Sequence, residues 1–375
     1  MKTERKQNRA WIEIDLQALE HNVKEIQRVL PTQTKIMGVV KANAYGHGAV
    51  EVSQKLNEMG ITDFAVATLD EGIELREAGI RGEILILGYT DLSCIPEVIK
   101  YDLTQTILDE KYARNIQDML TEKIKAQVKI NTGMNRNGID YRDYDGLAKV
   151  YQMTNLEITG TFSHLCVSDG SKQEDKDFTK KQIERYFATI NQIRKMGYNP
   201  GNTHIQASYG ILNYPGLPCD FARPGVILYG IYSQENDVLE TNIDLKPVLS
   251  LKARVMSVHT IEEGDSVGYG RTFIAKEKMQ MATVAIGYAD GYPRNLSGQD
   301  IKVLVNGEYA TIIGRICMDQ LMITLPMEKE LKAGDIVTLI GKEQEIRAEK
   351  VSEKAATITN ELLSSLGRRL PIVAK

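Results

Sequence analysis

The residues best suited to chemistry in this chain are amines and guanidiniums placed directly after apolar runs. In VVKANAYGHG (residues 39–48), Lys41 follows an apolar strand and precedes small residues, a tyrosine and two glycines. An amine partly desolvated at such a position has a lowered pKa and can form a Schiff base with a carbonyl cofactor; the plainer reading is a solvated lysine that ends a strand. Tyr45 and the glycines suit a phosphate contact, because glycine lets backbone amides approach an anion. In KINTGMNRNG (residues 129–138), Lys129 ends another strand and Arg136 sits in a Gly/Asn-rich loop. Arginine's rigid fork pairs with a carboxylate or a phenolate oxygen, although the same motif reads as a turn with two surface cations. His164 in SHLCVSDG, read alone, is a buried polar group. Arg223 in CDFARPGVILYG stands before Pro224 and Gly225 at the head of an expected last strand, and with Ser208 in QASYG it could form a phosphate site. Tyr269 in SVGYGRTF lies between two glycines, either exposed for function or as an ordinary hairpin tyrosine.

These groups act together only if a scaffold brings them to one face. Eight β-rich runs recur: IMGVV, FAVAT, EILILG, LTQTI, AQVKIN, ITGTFS, HIQAS and GVILYG. Several are too apolar to alternate, as expected for strands covered on both sides. Helical patterns such as LDEGIELREAG and KKQIERYFATINQIRKMG separate them and end in glycine. Eight strand-helix units with right-handed crossovers close into an α/β (β/α)8 TIM barrel, with the candidate residues at the carboxyl ends of the strands. A doubly wound open sheet is the alternative, and no G-x-G-x-x-G turn supports it. After about Leu245 the pattern changes to LKARVMSVHTI, QMATVAIGYA, IKVLVNGEYATIIG and DIVTLIG, strands with Gly, Asp and Asn turns, including a hairpin signal at Asn306-Gly307. The expected organisation is a basic tail over residues 1–10, a barrel over 11–245 and a mainly β domain over 246–375, with WIEID at Trp11 pairing with the β domain.

Composition narrows the possibilities. The 375 residues carry 46 Lys+Arg and 50 Asp+Glu, a formal charge of −4 that argues against a general nucleic-acid partner. The four cysteines form no C-x-x-C pair and the five histidines no H-E-x-x-H or H-x-H, so no metal is expected. No apolar run is long enough to span a membrane, and the chain reads as cytoplasmic.

Taken in order, VVKANAYGHG, KINTGMNRNG, ARPGVILYG, VGYGRT, AIGYADGYPR and GRICMDQ resemble the signature segments of the alanine racemase family, barrel-plus-β-domain enzymes that use pyridoxal 5'-phosphate. The resemblance runs from Trp11 to Pro371. It implies that Lys41 holds the cofactor and serves as one acid/base, and that Tyr269, reaching across a homodimer interface, is the other. It further implies that Arg223 faces the pyridine nitrogen and that Tyr45, Ser208, Gly225 and Val226 bind the phosphate. Arg136 would meet the phenolic oxygen and the substrate carboxylate, oriented by Lys129, a position commonly carbamylated in the family. His164 would link Tyr269 to Arg223. Met318 and Asp319 of the second subunit would line the substrate pocket, and Tyr288 the channel leading to it. The implied reaction interconverts L- and D-forms of a small amino acid by two bases on opposite faces, supplying D-amino acid for peptidoglycan precursors.

One departure bears on the substrate. Asn360 in ITNELLSSLGRRLP stands where the family usually has a tyrosine, leaving room and an amide that can satisfy a hydroxyl. Serine is therefore expected beside alanine, as in the racemase domain of membrane-anchored serine/alanine racemases from vancomycin-resistance systems. Asn131, where an aspartate is commoner, is a lesser departure. On that comparison Lys2, Arg5, Lys6 and Arg9 read either as a basic segment following a membrane span of a longer parent or as a solvated tail. A barrel-type pyridoxal-phosphate decarboxylase is the competing enzyme reading. Such enzymes place an acid at the pyridine nitrogen, where this chain has Arg223. A non-catalytic cofactor-binding barrel would lack the β domain.

Overall fold

The computed structural model describes residues 8–235, 237, 239–325 and 331–375. Strand β1 (Ala10–Ile14) comes first, followed by a helix over Leu16–Val29 that Asp15 caps by accepting from Gln17 N and Ala18 N. Its apolar stripe of Leu19, Val23 and Ile26 is fully buried. The barrel strands follow as β2 (Lys35–Val39), β3 (Asp63–Val66), β4 (Glu83–Ile86), β5 (Thr104–Ile107), β6 (Ile124–Asn131), the short β7 (Ile139–Asp140), β8 (Leu156–Phe162), β9 (Asn202–Ala207) and β10 (Phe221–Arg223). All of these pairings are parallel. The ring runs β2-β3-β4-β5-β6-β8-β9-β10 and closes from β10 to β2, with β7 added to the end of β6.

Strand alternation divides the side chains between two layers. Ile36, Phe64, Val66, Ile84 and Ile86 pack outward against the helices. Met37, Val39, Ala65, Leu85, Phe162 and Phe221 form a smaller apolar cluster inside the barrel. Glu83, Gln127, Lys129, His204 and Arg223 share the inward parity of their strands. The barrel interior is therefore partly polar.

The structure corrects the expected eighth strand. GVILYG is not a strand: Val226–Tyr229 forms a 3-10 turn, and the strand that closes the barrel is Phe221–Arg223. A short, fully buried apolar run has no periodicity to separate strand from helix. Tyr229 Oη donates to Val39 O at 2.8 Å, which ties the turn across the barrel mouth. Arg223 consequently ends its strand rather than preceding it, which puts the guanidinium on the carboxyl-end face with Lys41.

The second sheet is built from β11 (Leu249–Ile261), β12 (Ser266–Val267) and β13 (Phe273–Ile274) forming a separate ribbon, then β14 (Met279–Val284), β15 (Lys302–Val305), β16 (Glu308–Ile313), β17 (Leu321–Leu325), β18 (Ile336–Ile340) and β19 (Ile372–Ala374). Its order is β14-β17-β16-β15-β18-β11-β1-β19, and β14 also pairs with the far half of β11. Asn306 and Gly307 both have positive φ, 50° and 81°, the geometry of a two-residue hairpin turn between Val305 and Glu308. Strand β1 lies antiparallel to β11 and parallel to β19, so the WIEID segment belongs to this sheet. Arg9 is no part of a free tail: it forms an ion pair with the fully buried Asp290 and donates to Ala285 O at 3.0 Å. Lys2, Arg5 and Lys6 lie outside the described residues. Among the described residues, no helix is long and apolar enough to cross a membrane.

Candidate active site

A cavity of about 470 Å³ opens at the carboxyl ends of the barrel strands, within the size range of small-molecule sites. Its walls include Lys41, Tyr45, Lys129, Arg136, His164, Ser208, Arg223, Gly225, Val226 and Asn360. Ten of the residues singled out from sequence thus meet in one place. Tyr269, Tyr288, Met318 and Asp319 are not among its walls. All four lie on the β domain: Tyr288 N and Ala289 N donate to Cys317 O and Met318 O at 3.0 and 2.9 Å, and the glycines that flank Tyr269 approach Arg315. Tyr269 is 71% exposed and Met318 53%, unusual for such side chains. Asp319 is ion-paired to Arg369 at 2.7 Å.

Lys41 leaves β2 through an uncommon turn. Ala42, Asn43, Ala44 and Tyr45 all have φ of 52–54°, four consecutive non-glycine residues in the left-handed region. Each costs about 1–2 kcal/mol relative to the right-handed form. The surroundings hold them in place. Glu71 Oε1 accepts from Ala42 N at 2.7 Å, Asn43 Oδ1 from Ala49 N at 2.8 Å, and the buried His47 Nδ1 donates to Ala44 O at 2.9 Å. Burial lowers the pKa of Lys41, Arg136 and Arg223 add to this effect, and Glu71 partly opposes it.

The cations share the cavity at close quarters. Burial, with Arg136, Arg223 and Lys41 nearby, takes the Lys129 amine down to about 7, and Lys129 Nζ donates to Asn137 Oδ1. Arg223 is 3% exposed and donates to Ser163 O at 2.8 Å, His204 Nδ1 at 2.5 Å and His164 Nδ1 at 3.2 Å. Burial and these cations hold the His164 imidazole at about 3, so it is neutral at physiological pH. Because arginine only donates, His164 Nδ1 accepts, and its Nε2–H is left to donate to another group.

Tyr45, Ser208 and Gly225 form a small cradle. Ser208 Oγ accepts from Gly225 N at 3.0 Å, and a Cβ at position 225 would stand 2.9 Å from Tyr45 Oη, so any larger residue would displace that hydroxyl. Burial raises Tyr45 to about 12, which keeps its hydroxyl protonated as a donor for an anion. A primary amine, a donor cradle and a guanidinium on the inner wall fit a phosphorylated pyridine aldehyde in size and donor chemistry.

Sequence reasoning passed over His204, Gln127, Tyr209 and Ser233. Polar residues at inward parity within AQVKIN and HIQAS were the available signal for the first two. Ser233 Oγ donates to Asn360 Oδ1 at 3.3 Å and Ser233 N to Tyr209 Oη at 2.7 Å, contacts between distant segments that leave no local pattern.

The sequence profile of the alanine racemase N-terminal domain matches residues 14–233 and that of the C-terminal domain residues 248–374. The chain belongs to the alanine racemase family. An amino-acid racemase of Enterococcus faecalis is 41% identical over 370 residues, covering 98% of this chain and 52% of that protein. A serine/alanine racemase of Enterococcus gallinarum is 38% identical over 368 residues, covering 96% and 51%. The chain therefore spans about half the length of these curated relatives. The structure of an alanine racemase from Clostridium difficile 630 superposes with a TM-score of 0.92 at 34% identity, covering 98% of this chain and 96% of that one.

Two predictions test the site's construction. The exposed Ala42 adopts φ of 52°. Ala42→Gly should stabilise the protein by about 0.5–1 kcal/mol and Ala42→Val destabilise it by about 1–2 kcal/mol in urea melts, because only glycine adopts this φ without strain. For Lys129, the unfolded chain binds the proton more tightly than the fold does. Stability should therefore rise with pH between the folded value of about 7 and the ordinary value of ~10.4. In carbonate-free buffer, Lys129→Met should flatten that rise in Tm.

Proposed function

We propose that this chain is a pyridoxal-phosphate-dependent racemase of serine and alanine that works as a homodimer with shared active sites. The observation that carries this reading is the separation within one chain. The cavity contains one of the two expected acid/bases, Lys41, while the other, Tyr269, stands exposed on the β domain, as do Met318 and Tyr288. A symmetric pair supplies what each subunit lacks.

Lys41 would hold the cofactor. Tyr45, Ser208, Gly225 and Val226 would bind its phosphate, Arg136 its phenolic oxygen and the substrate carboxylate, and Arg223 would face the ring nitrogen. When bound, the cofactor supplies an electron sink that acidifies the substrate's α-hydrogen. Arg223 donates a hydrogen bond without surrendering a proton, which leaves the sink weak and discourages side reactions. Racemisation then needs one proton taken at one face and one returned at the other. Lys41 Nζ, depressed by burial, serves the first face, and Tyr269 Oη of the second subunit serves the opposite one. The neutral His164 offers its free N–H to that phenol. Lys129, uncharged in good part near neutral pH, adds carbon dioxide with loss of a proton, and the resulting carbamate would pair with Arg136.

Asn360 supports serine as a substrate. With Oδ1 taken by Ser233 Oγ, its Nδ2 remains a donor at the cavity wall. A site that satisfies a substrate hydroxyl favours the substrate that carries it.

Three experiments test this reading. Borohydride should bleach the visible absorbance of the loaded enzyme and fix the label on Lys41 alone, and labelling elsewhere would overturn the assignment. Lys41→Ala and Tyr269→Ala homodimers should each be inactive and should regain racemase activity when dissociated and mixed, since the hybrid contains one intact site. Asn360→Tyr should lower the serine-to-alanine ratio of kcat/KM by at least about 10-fold. No serine turnover by the parent beside good alanine turnover would remove serine from the proposal.

A further inference from the structure

Inside the barrel, four side chains on four strands join end to end. Arg223 Nη1 on β10 lies 2.5 Å from His204 Nδ1 on β9, and His204 Nε2 lies 2.7 Å from Gln127 Oε1 on β6. Gln127 Nε2 in turn lies 2.7 Å from Glu83 Oε1, the first residue of β4. His204 and Gln127 are fully buried. The donor directions follow from the two ends. A guanidinium can only donate and a carboxylate can only accept. His204 Nδ1 therefore accepts, its Nε2 carries the proton and donates to Gln127 Oε1, and Gln127 Nε2 donates to Glu83. All the bonds run one way, from the cavity at the carboxyl ends of the strands to Glu83 at the amino end of its own.

The rest of the packing leaves the His204 ring no alternative. Phe162 stacks on it with centroids 4.9 Å apart and planes within 4°, and the same phenyl ring lies 5.3 Å from the Arg223 guanidinium. Phe221 meets the imidazole edge-on at 6.4 Å. The titratable groups around the ring are Arg223 on β10, Tyr186 on the Gln173–Lys195 helix, whose Oη accepts from His204 N at 3.0 Å, and Lys129 on β6 beyond Phe162. None is a carboxylate. Glu83 reaches the ring only through the Gln127 amide.

We propose that Gln127 and Glu83 are positioning residues for Arg223: by fixing the tautomer of His204 they keep an acceptor facing the guanidinium and so hold its direction in the cavity. The chain stands on geometry alone. Its bearing on the reaction rests on the reading that Arg223 faces the cofactor ring.

The test uses the whole 375-residue chain with 15N-labelled histidine, the His204 signals being assigned by His204→Asn. In the parent, His204 is expected as the Nε2–H tautomer, unchanged between about pH 6 and 9. Gln127→Glu places a carboxylate beside Nε2 and favours the doubly protonated ring, turning Nδ1 into a donor against Arg223, so a new ionisation should appear in that range. Gln127→Met has similar length and no acceptor, and should leave a mixture of tautomers without that ionisation. Glu83→Leu frees the Gln127 amide to flip and should also give a mixture, whereas Glu83→Gln, which can still accept, should keep the parent tautomer. In loaded enzyme, Gln127→Met and Glu83→Leu should lower kcat for alanine about 10-fold with KM changed less than about 3-fold. A parent His204 protonated on Nδ1, or Gln127→Glu and Glu83→Leu spectra and kcat identical to the parent, overturns the proposal. A parent that binds no cofactor overturns the functional reading while leaving the tautomer result to stand by itself.

Discussion

The constraint on which this structure turns is the burial of several cations around one cavity. Lys41, Lys129 and Arg223 lose hydration together and repel one another, the exposed Arg136 in the cavity wall adds to that repulsion, and only the barrel makes the arrangement tolerable. Arg223 shows how. Every group within reach of its guanidinium is an acceptor: a histidine nitrogen on either side and the carbonyls of Ser163 and Ile205. The amines respond differently, by binding their protons less tightly: burial lowers Lys41, and takes Lys129 down to about 7. The site therefore combines a fixed, buried guanidinium with amines whose hold on the proton is weakened.

Much of this was legible in the sequence. Seven barrel strands lie where apolar runs bounded by turn residues put them, and the change of pattern near Leu245 marks the start of the second sheet at Leu249. The signature segments carry side chains on short loops directly after strands, where local sequence and position in the barrel coincide. GVILYG was misread because a buried four-residue turn and a buried strand look alike as letters, and the true strand, FAR, is too short to show a pattern. LMITL and IVA, strands β17 and β19, gave no independent signal before their partners were in view.

What stayed hidden was cooperation across strands. Gln127, His204 and Glu83 look like unremarkable polar interruptions in separate segments, and their alignment exists only after the barrel closes. The same holds for Ser233 and Asn360, 127 positions apart and joined by one hydrogen bond. Arg9 is a similar case. A cation near the start of a chain reads as solvated, yet here it neutralises Asp290, a carboxylate with no exposed surface.

The left-handed turn after Lys41 has a consequence for how the site comes into being. Residues enter that conformation only when Glu71, Ala49 and the surrounding helices are already in place to hold them, so the turn belongs to the finished barrel and not to the emerging chain. Until then position 41 carries an ordinary hydrated ammonium, no more reactive toward aldehydes than any other lysine. The lowered proton affinity of Lys41 thus arrives with tertiary assembly, because the burial that causes it does.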